Sequence, residues 1–329
     1  MARDDRGSRG GRDRRRSREG ARGSDRPLVP VPVRERARGS ASAGSGGDGA
    51  RGNGAAGGRR SGAMSAGGGG RVAVVTGASA GIGEATARAL AATGWRCVLV
   101  ARRADLLHEI ADEIGGEVEP CDLLDRGAVA ELGSRILARH ERVALLVNNA
   151  GALARGTFVD VDLDEMERVT RLNYLSGVFA TRALLPGLRA AGAAGGADGA
   201  GGAHVVNVAS IGGVVTFPAG SAYAASKHAQ VAFSRSLRAA LRGTGVEVHL
   251  VMPGFVRTDG FPQPRFWQSP LGRRFVFDPE EVAEAILAAV EHGKPEVVVP
   301  WFPYRLGQMF QALLPSLTTR VMSFDRYAD

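Results

Sequence analysis

The segment 71–83, RVAVVTGASAGIG, restricts the fold of this chain more than any other stretch. Val72 to Thr76 form an apolar, β-branched run that stops at a glycine, the pattern of a short buried strand. Gly77, Gly81 and Gly83 follow in a T-G-x-x-x-G-x-G spacing, and GEATARALAATG after them has helical composition. A strand that turns at once into a helix leaves unpaired amides over the helix N-terminus, and glycines there let a pyrophosphate approach the backbone. Glycine is frequent here, at 47 of 329 residues, so the three glycines gain their meaning from the downstream sequence.

From Arg71 onward, strand-like and helix-like segments alternate. Further strands are predicted at 95–102, 117–120, 142–151, 203–210, 246–254 and 296–300, and helices at 104–115, 124–140, 162–188, 221–242 and 279–292. Residues 191–202, AGAAGGADGAGG, read as a low-complexity surface loop without functional weight. The pattern predicts one α/β domain over 71–300. Its Rossmann-type, doubly wound, mostly parallel seven-stranded sheet carries helices on both faces and binds a cofactor at the strands' C-terminal ends.

Charge separates the tail from this domain. The chain carries a net +8, but residues 1–70 hold 16 of the 42 basic and 7 of the 34 acidic side chains, which leaves the remainder nearly neutral. The tail alternates arginine with Gly, Ser, Asp and Ala and has too few apolar groups to offset the entropy of ordering, so it is predicted disordered. It has no aromatic stacking partners and predicts no specific nucleic-acid binding. Met64, shortly before the first strand, is a second candidate start for translation. Cys97 and Cys121 read as reduced thiols near the core, neither a disulfide nor a metal site. The absence of an apolar run of membrane-spanning length, or of a signal-type leader, gives a cytoplasmic expectation.

The chemistry gathers at Ser210, Tyr223 and Lys227. Ser210 closes a strand, where ligands collect on an open sheet. Tyr223 and Lys227 are four apart in a helical segment and share one face. A nearby ammonium is expected to stabilise the phenolate and lower the tyrosine pKa toward the operating pH, while Ser210 donates a hydrogen bond to a substrate oxygen.

With these residues in place, the chain resembles the short-chain dehydrogenase/reductase family over 71 to about 300. TGASAGIG (76–83) resembles its cofactor loop, with Gly77, Ser79, Gly81, Ile82 and Gly83 as cofactor-binding positions. NNAG (148–151) resembles its fourth-strand motif, and Tyr223-Ala-Ala-Ser-Lys227, thirteen residues after Ser210, its active-site segment. The resemblance implies a catalytic set of Asn173, Ser210, Tyr223 and Lys227, with Asn173 holding a water behind the lysine. It also implies that Asp122 contacts the adenine and Asn149 lies near the adenosine ribose. Pro253, Gly254, Val256 and Thr258 would meet the nicotinamide half, and Tyr223 and Lys227 also touch the cofactor. A homodimer or homotetramer is implied, and no metal.

Cofactor choice turns on the end of the second strand. An acid there would bind the ribose hydroxyls of NAD, but this chain has Arg102 and Arg103, whose guanidiniums suit a 2′-phosphate. NADP(H) is therefore expected, with NAD(H) as the alternative. By the same resemblance the pocket is lined by Ile211, Gly212, Gly213, Phe217, Phe255, Phe261, Phe266 and Trp267, which favours a hydrophobic ketone, aldehyde or secondary alcohol. A retinoid, steroid or lipid alcohol oxidised with NAD is the alternative substrate class. A non-catalytic dinucleotide sensor on the same fold is the alternative of another kind. In the C-terminal extension 301–329, residues 306, 309, 310, 313, 314 and 317 form an apolar stripe that a helix would bury on the domain or on a second subunit. A peripheral membrane contact is the other reading.

Overall fold

The computed structural model describes residues 70–154, 156–198, 202–215, 220–258 and 276–322. The arginine-rich tail, and with it the expectation of disorder, lies outside these residues. Nine strands are found among those described: β1 (Val72–Thr76), β2 (Arg96–Ala101), β3 (Glu117–Pro120), β4 (Leu145–Asn148), β5 (Ala203–Val208), β6 (Val246–Pro253), β7 (Phe255–Val256), β8 (Val276–Phe277) and β9 (Glu296–Val299). Seven of them form one parallel sheet in the order β3-β2-β1-β4-β5-β6-β9, and β7 and β8 pair separately. The connections run outward in opposite directions from β1 and β4, so the crevice beyond their C-terminal ends is the switch point where such sheets bind ligands.

The helices are α1 (Gly81–Ala92), α2 (Ala104–Ile114), α3 (Arg126–Arg139), α4 (Leu163–Thr170), α5 (Ser176–Asp198), α6 (Ser221–Ala240), α7 (Pro279–Glu291), α8 (Tyr304–Leu313) and α9 (Pro315–Met322). Strands β1, β4 and β5 are buried along their whole length, which is why β1 and β4 read as apolar runs up to their last residue and β5 as one broken by His204 and Asn207. Their side chains still alternate between faces. Val74 and Leu146 join Ile136, Leu184 and Leu188 in one core, while Val75, Leu145 and Val147 join Leu107, Val282 and Ile286 in the other. Each such fully buried Val or Leu contributes roughly 1.5–3 kcal/mol relative to exposure.

Three expectations change. The single helix predicted at 162–188 is interrupted by a π-helical turn, Arg171–Leu175, and then continues to Asp198. Residues 191–198 are thus helical, not loop. Alanine is the best helix former, Ala191 is buried, and Gly192 lies so close to Gly245 that a Cβ there would fall 2.7 Å from its carbonyl. The C-terminal extension forms two helices, because Pro315 ends the hydrogen-bonding ladder and opens α9. Its stripe does not bury on the domain: Leu306, Met309, Phe310, Leu313, Leu314 and Leu317 are 43–75% exposed. Among the described residues, no helix is long and apolar enough to cross a membrane.

Candidate active site

The glycine turn is a cradle that side chains would fill. Gly77 and Gly81 have φ of +66° and +58°, a conformation that suits glycine. A Cβ on Gly77 would fall 2.9 Å from Ala150 Cα, one on Gly81 2.9 Å from Thr258 Cγ2, and one on Gly83 would strike the Gly77 carbonyl. The Thr76 hydroxyl donates to Val147 O (3.1 Å) and accepts from the amides of Asn149 (3.0 Å) and Ala150 (3.2 Å). Asn149 Nδ2 donates to the carbonyls of Thr76 (3.1 Å) and Gly77 (3.3 Å), so this side chain braces the turn. Ala80, at the N-cap of α1, supplies no side-chain acceptor, which leaves the helix's positive end to an anion. Ile82 lies in the first turn of α1, against the second core.

At the end of β2, Arg102 and Arg103 are exposed. Arg103 reaches back to the turn: Nε and Nη2 donate to Ser79 Oγ at 3.3 and 2.9 Å, and Nη2 also to Ser79 O at 3.4 Å. Asp122, just past β3, accepts from the amide of Leu124 (3.1 Å) and is exposed beside the same crevice. These residues fit a dinucleotide, with close backbone approach at the glycines and guanidiniums beyond the β2 end.

Ser210, Tyr223, Lys227 and Asn173 converge at the C-terminal ends of β4 and β5. Ser210 follows β5, and its Oγ accepts from the amide of Gly212 (3.0 Å) and bonds the Tyr223 hydroxyl. The turn Ile211–Gly213 presses on α6, since a Cβ on Gly213 would lie 2.8 Å from Lys227 O and one on Gly212 3.3 Å from the Tyr223 ring. Lys227 Nζ donates to Val208 O and Gln230 Oε1, each at 3.0 Å, and lies 5.9 Å from the Tyr223 ring centre. Asn173 sits in the π-helical turn: Nδ2 donates to Ala152 O and Ser226 Oγ, both at 2.9 Å, and Oδ1 accepts from the Ala152 amide at 2.7 Å. The extra residue of the π turn aims Asn173 inward, where it is 1% exposed.

Electrostatics overturns one expectation. Burial raises the Tyr223 pKa, and the Ser210 bond offsets only part of that rise. Burial also pushes Lys227 down to about 7, because its contacts are neutral oxygens. The lysine Nζ lies over the phenol ring, 5.9 Å from its centre, and burial outweighs it, so the tyrosine is not depressed in the protein alone.

Sequence reasoning missed Gln230, Ser226 and Thr76. Gln230 follows Lys227 by three residues, a same-face spacing that marks a polar side chain for scrutiny. Pro253 ends β6, and Gly254 is covered by the ring of Tyr304, whose hydroxyl would be 2.9 Å from a Cβ at that glycine. Phe255 stacks edge-on to Tyr304 at 6.4 Å between ring centres. The extension therefore meets the domain at its first helical residue. Val256 is buried in β7, and Thr258 lies against Gly81. Phe217, Phe261, Phe266 and Trp267 lie outside the described residues.

An open parallel sheet with a glycine-lined turn at its switch point defines a nucleotide-binding α/β fold of the oxidoreductase type. The chain belongs to the short-chain dehydrogenase family, whose profile matches residues 71–268. It is 36% identical over 272 residues to the dehydrogenase/reductase SDR family member 7B of Bos taurus, covering 77% of this chain and 80% of that one. It is 44% identical over 190 residues to an uncharacterized oxidoreductase of Mycobacterium tuberculosis, covering 57% and 70%. Among solved structures, a short-chain dehydrogenase from Streptomyces avermitilis matches with TM-score 0.64 and 28% identity, covering 78% of this chain and all of that one. An alcohol dehydrogenase from Thermococcus sibiricus complexed with 5-hydroxy-NADP matches with TM-score 0.59 and 28% identity, covering 69% and 95%.

Proposed function

We propose that this chain is an NADP(H)-dependent oxidoreductase that interconverts a hydrophobic ketone or aldehyde and the corresponding alcohol. The observation that carries this reading is the bond between Ser210 and Tyr223 beyond the C-terminal end of β5, with Lys227 buried behind the ring. When bound, a nicotinamide cofactor would supply or take the hydride. Gly77, Ser79, Gly81, Ile82 and Gly83 would hold the pyrophosphate, Asp122 and Asn149 would flank the adenosine, and Pro253, Gly254, Val256 and Thr258 the nicotinamide half.

In the reductive direction, Tyr223 gives its proton to the substrate oxygen as negative charge develops there. Its raised pKa keeps the phenol protonated at neutral pH, the form this step needs. Ser210 fixes the same oxygen with a hydrogen bond, its own orientation set by the Gly212 amide. Lys227 then restores the Tyr223 proton through solvent held near Asn173, and oxidation reverses the path. The absence of an acid beyond β2 and the Arg103–Ser79 contact support a 2′-phosphate, as does the NADP analogue in the Thermococcus relative. Phe255 and Tyr304 over Gly254 support an apolar substrate.

The test is consumption of NADPH by the purified protein against a panel of hydrophobic carbonyls, followed at the nicotinamide absorbance. Turnover with NADPH exceeding that with NADH is expected. Tight NADPH binding without turnover on any carbonyl would leave a dinucleotide sensor instead.

A further inference from the structure

We propose that His204, Glu247 and His249 bind one divalent transition-metal ion of the zinc type at the end of the sheet opposite the catalytic residues. His204 lies near the start of β5, and Glu247 and His249 near the start of β6. The register pairs His204 with Glu247 and Val206 with His249. His204 Nδ1 and His249 Nε2 are 3.0 Å apart, and Glu247 Oε2 is 3.9 Å from the first and 3.8 Å from the second. A tetrahedral zinc with bonds of about 2.0–2.1 Å keeps its ligand atoms roughly 3.3–3.4 Å apart. Shifts of roughly half an ångström therefore bring all three donors onto one ion.

A separate observation points the same way. His249 Nδ1 faces the Lys294 carbonyl at 2.8 Å. A carbonyl only accepts, so Nδ1 carries the proton and the Nε2 lone pair is directed at His204 and Glu247. Metal-binding histidines are oriented in this manner, with the far nitrogen on a carbonyl and the near one free. Without an ion, His204 Nδ1 donates to His249 Nε2. Binding moves that proton to His204 Nε2, so the ring stays neutral and offers Nδ1. The two imidazoles are 7% and 1% exposed, whereas the Glu247 side chain is 59% exposed, so the ion enters past the carboxylate and water completes its shell.

Two nitrogens and one carboxylate favour zinc, nickel or copper over magnesium or calcium. Arg71 and Arg238 act electrostatically on His204 and His249 and weaken the site, but both are occupied on carbonyls, of Gly202 and of Val248. Among the described residues, this is the one gathering of three metal-ligating side chains. It is separated from Ser210 by about 20 Å of strand, so the ion would tie β5 to β6 and to the turn after α7 without entering the reaction.

The experiment titrates zinc chloride into the chelator-treated full chain, with calorimetry and thermal unfolding as readouts. One ion per chain is expected, with Tm raised by about 5 °C or more when free zinc is 100 times Kd. Glu247→Gln changes an exposed side chain and should weaken binding at least about tenfold. His204→Asn should abolish the Tm shift, and if that variant does not fold, Glu247→Gln decides. No saturable binding by the parent chain, or unchanged affinity in Glu247→Gln, would overturn the proposal.

Discussion

Lys227 Nζ donates to Gln230 Oε1 across 3.0 Å, one turn along α6, and both side chains are buried. An amide oxygen orients the ammonium without neutralising it, so burial alone governs the lysine's titration. Gln230 is therefore a positioning residue for Lys227. Gln230→Leu should lower kcat by roughly tenfold, about the 1–1.5 kcal/mol of one hydrogen bond, with KM little changed. It should also move the pH limb set by Lys227 downward. Gln230→Glu supplies a charge and should move that limb upward, which a purely structural role would not do.

The depressed lysine also makes a stability prediction. Above pH 7 the folded chain holds Lys227 neutral, while the unfolded chain keeps it protonated up to its ordinary value of 10.5. The unfolded state binds more protons across that window, so this group favours folding increasingly as pH rises through it. Below pH 7 the burial penalty on the ammonium is fully present. Lys227→Met removes this dependence, so the Tm of the parent minus that of the variant should grow between pH 7 and 9. Melting curves of both proteins across that range measure it, and a difference that stays constant with pH would contradict the depressed pKa.

Arg102 and Arg103 should separate in cofactor binding. Arg103 braces Ser79 in the glycine turn, whereas Arg102 is exposed beside it. Arg102→Ala should raise the NADP Kd by roughly tenfold or more, since a charge-assisted bond is worth about 1.5–3 kcal/mol, and leave NAD nearly unchanged. Arg103→Ala should weaken both cofactors, because it also loosens the turn they share. Fluorescence titrations of the two variants test this; equal losses of NADP and NAD in Arg102→Ala would remove the phosphate-reading role.

The turn itself should be intolerant of a methyl group. Gly83→Ala drives a Cβ into the Gly77 carbonyl, an atom that Asn149 also holds, so relaxation would disturb β4 as well. A loss of about 1–3 kcal/mol is expected, read as a lowered urea midpoint.

The sheet was legible because β1, β4 and β5 are buried on both faces and are built mostly of apolar residues. The positions of Ser210, Tyr223 and Lys227 came from strand end and helix spacing. Other features depend on contacts that no local pattern carries. Residues 191–198 are helical because Gly192 meets Gly245 from another element, a long-range fit hidden behind a loop-like composition. The π turn at Arg171–Leu175 has no sequence signal, since its purpose is where Asn173 must point. The hydrogen bonds of Lys227 to Val208 and Gln230, and the burial that raises the Tyr223 pKa, depend on tertiary contacts that the four-residue spacing does not carry.

Proton transfer by Tyr223 is the step on which the mechanism rests, and a single variant isolates it. Tyr223→Phe keeps the ring against Gly212 and α6 and deletes only the exchangeable hydroxyl. Turnover on any carbonyl the parent reduces should fall by roughly 10²–10⁴-fold, the range for a positioned acid. NADPH affinity and the circular dichroism spectrum should be nearly unchanged. Near-parental turnover by a folded, NADPH-binding Tyr223→Phe protein would contradict this mechanism and require another proton donor.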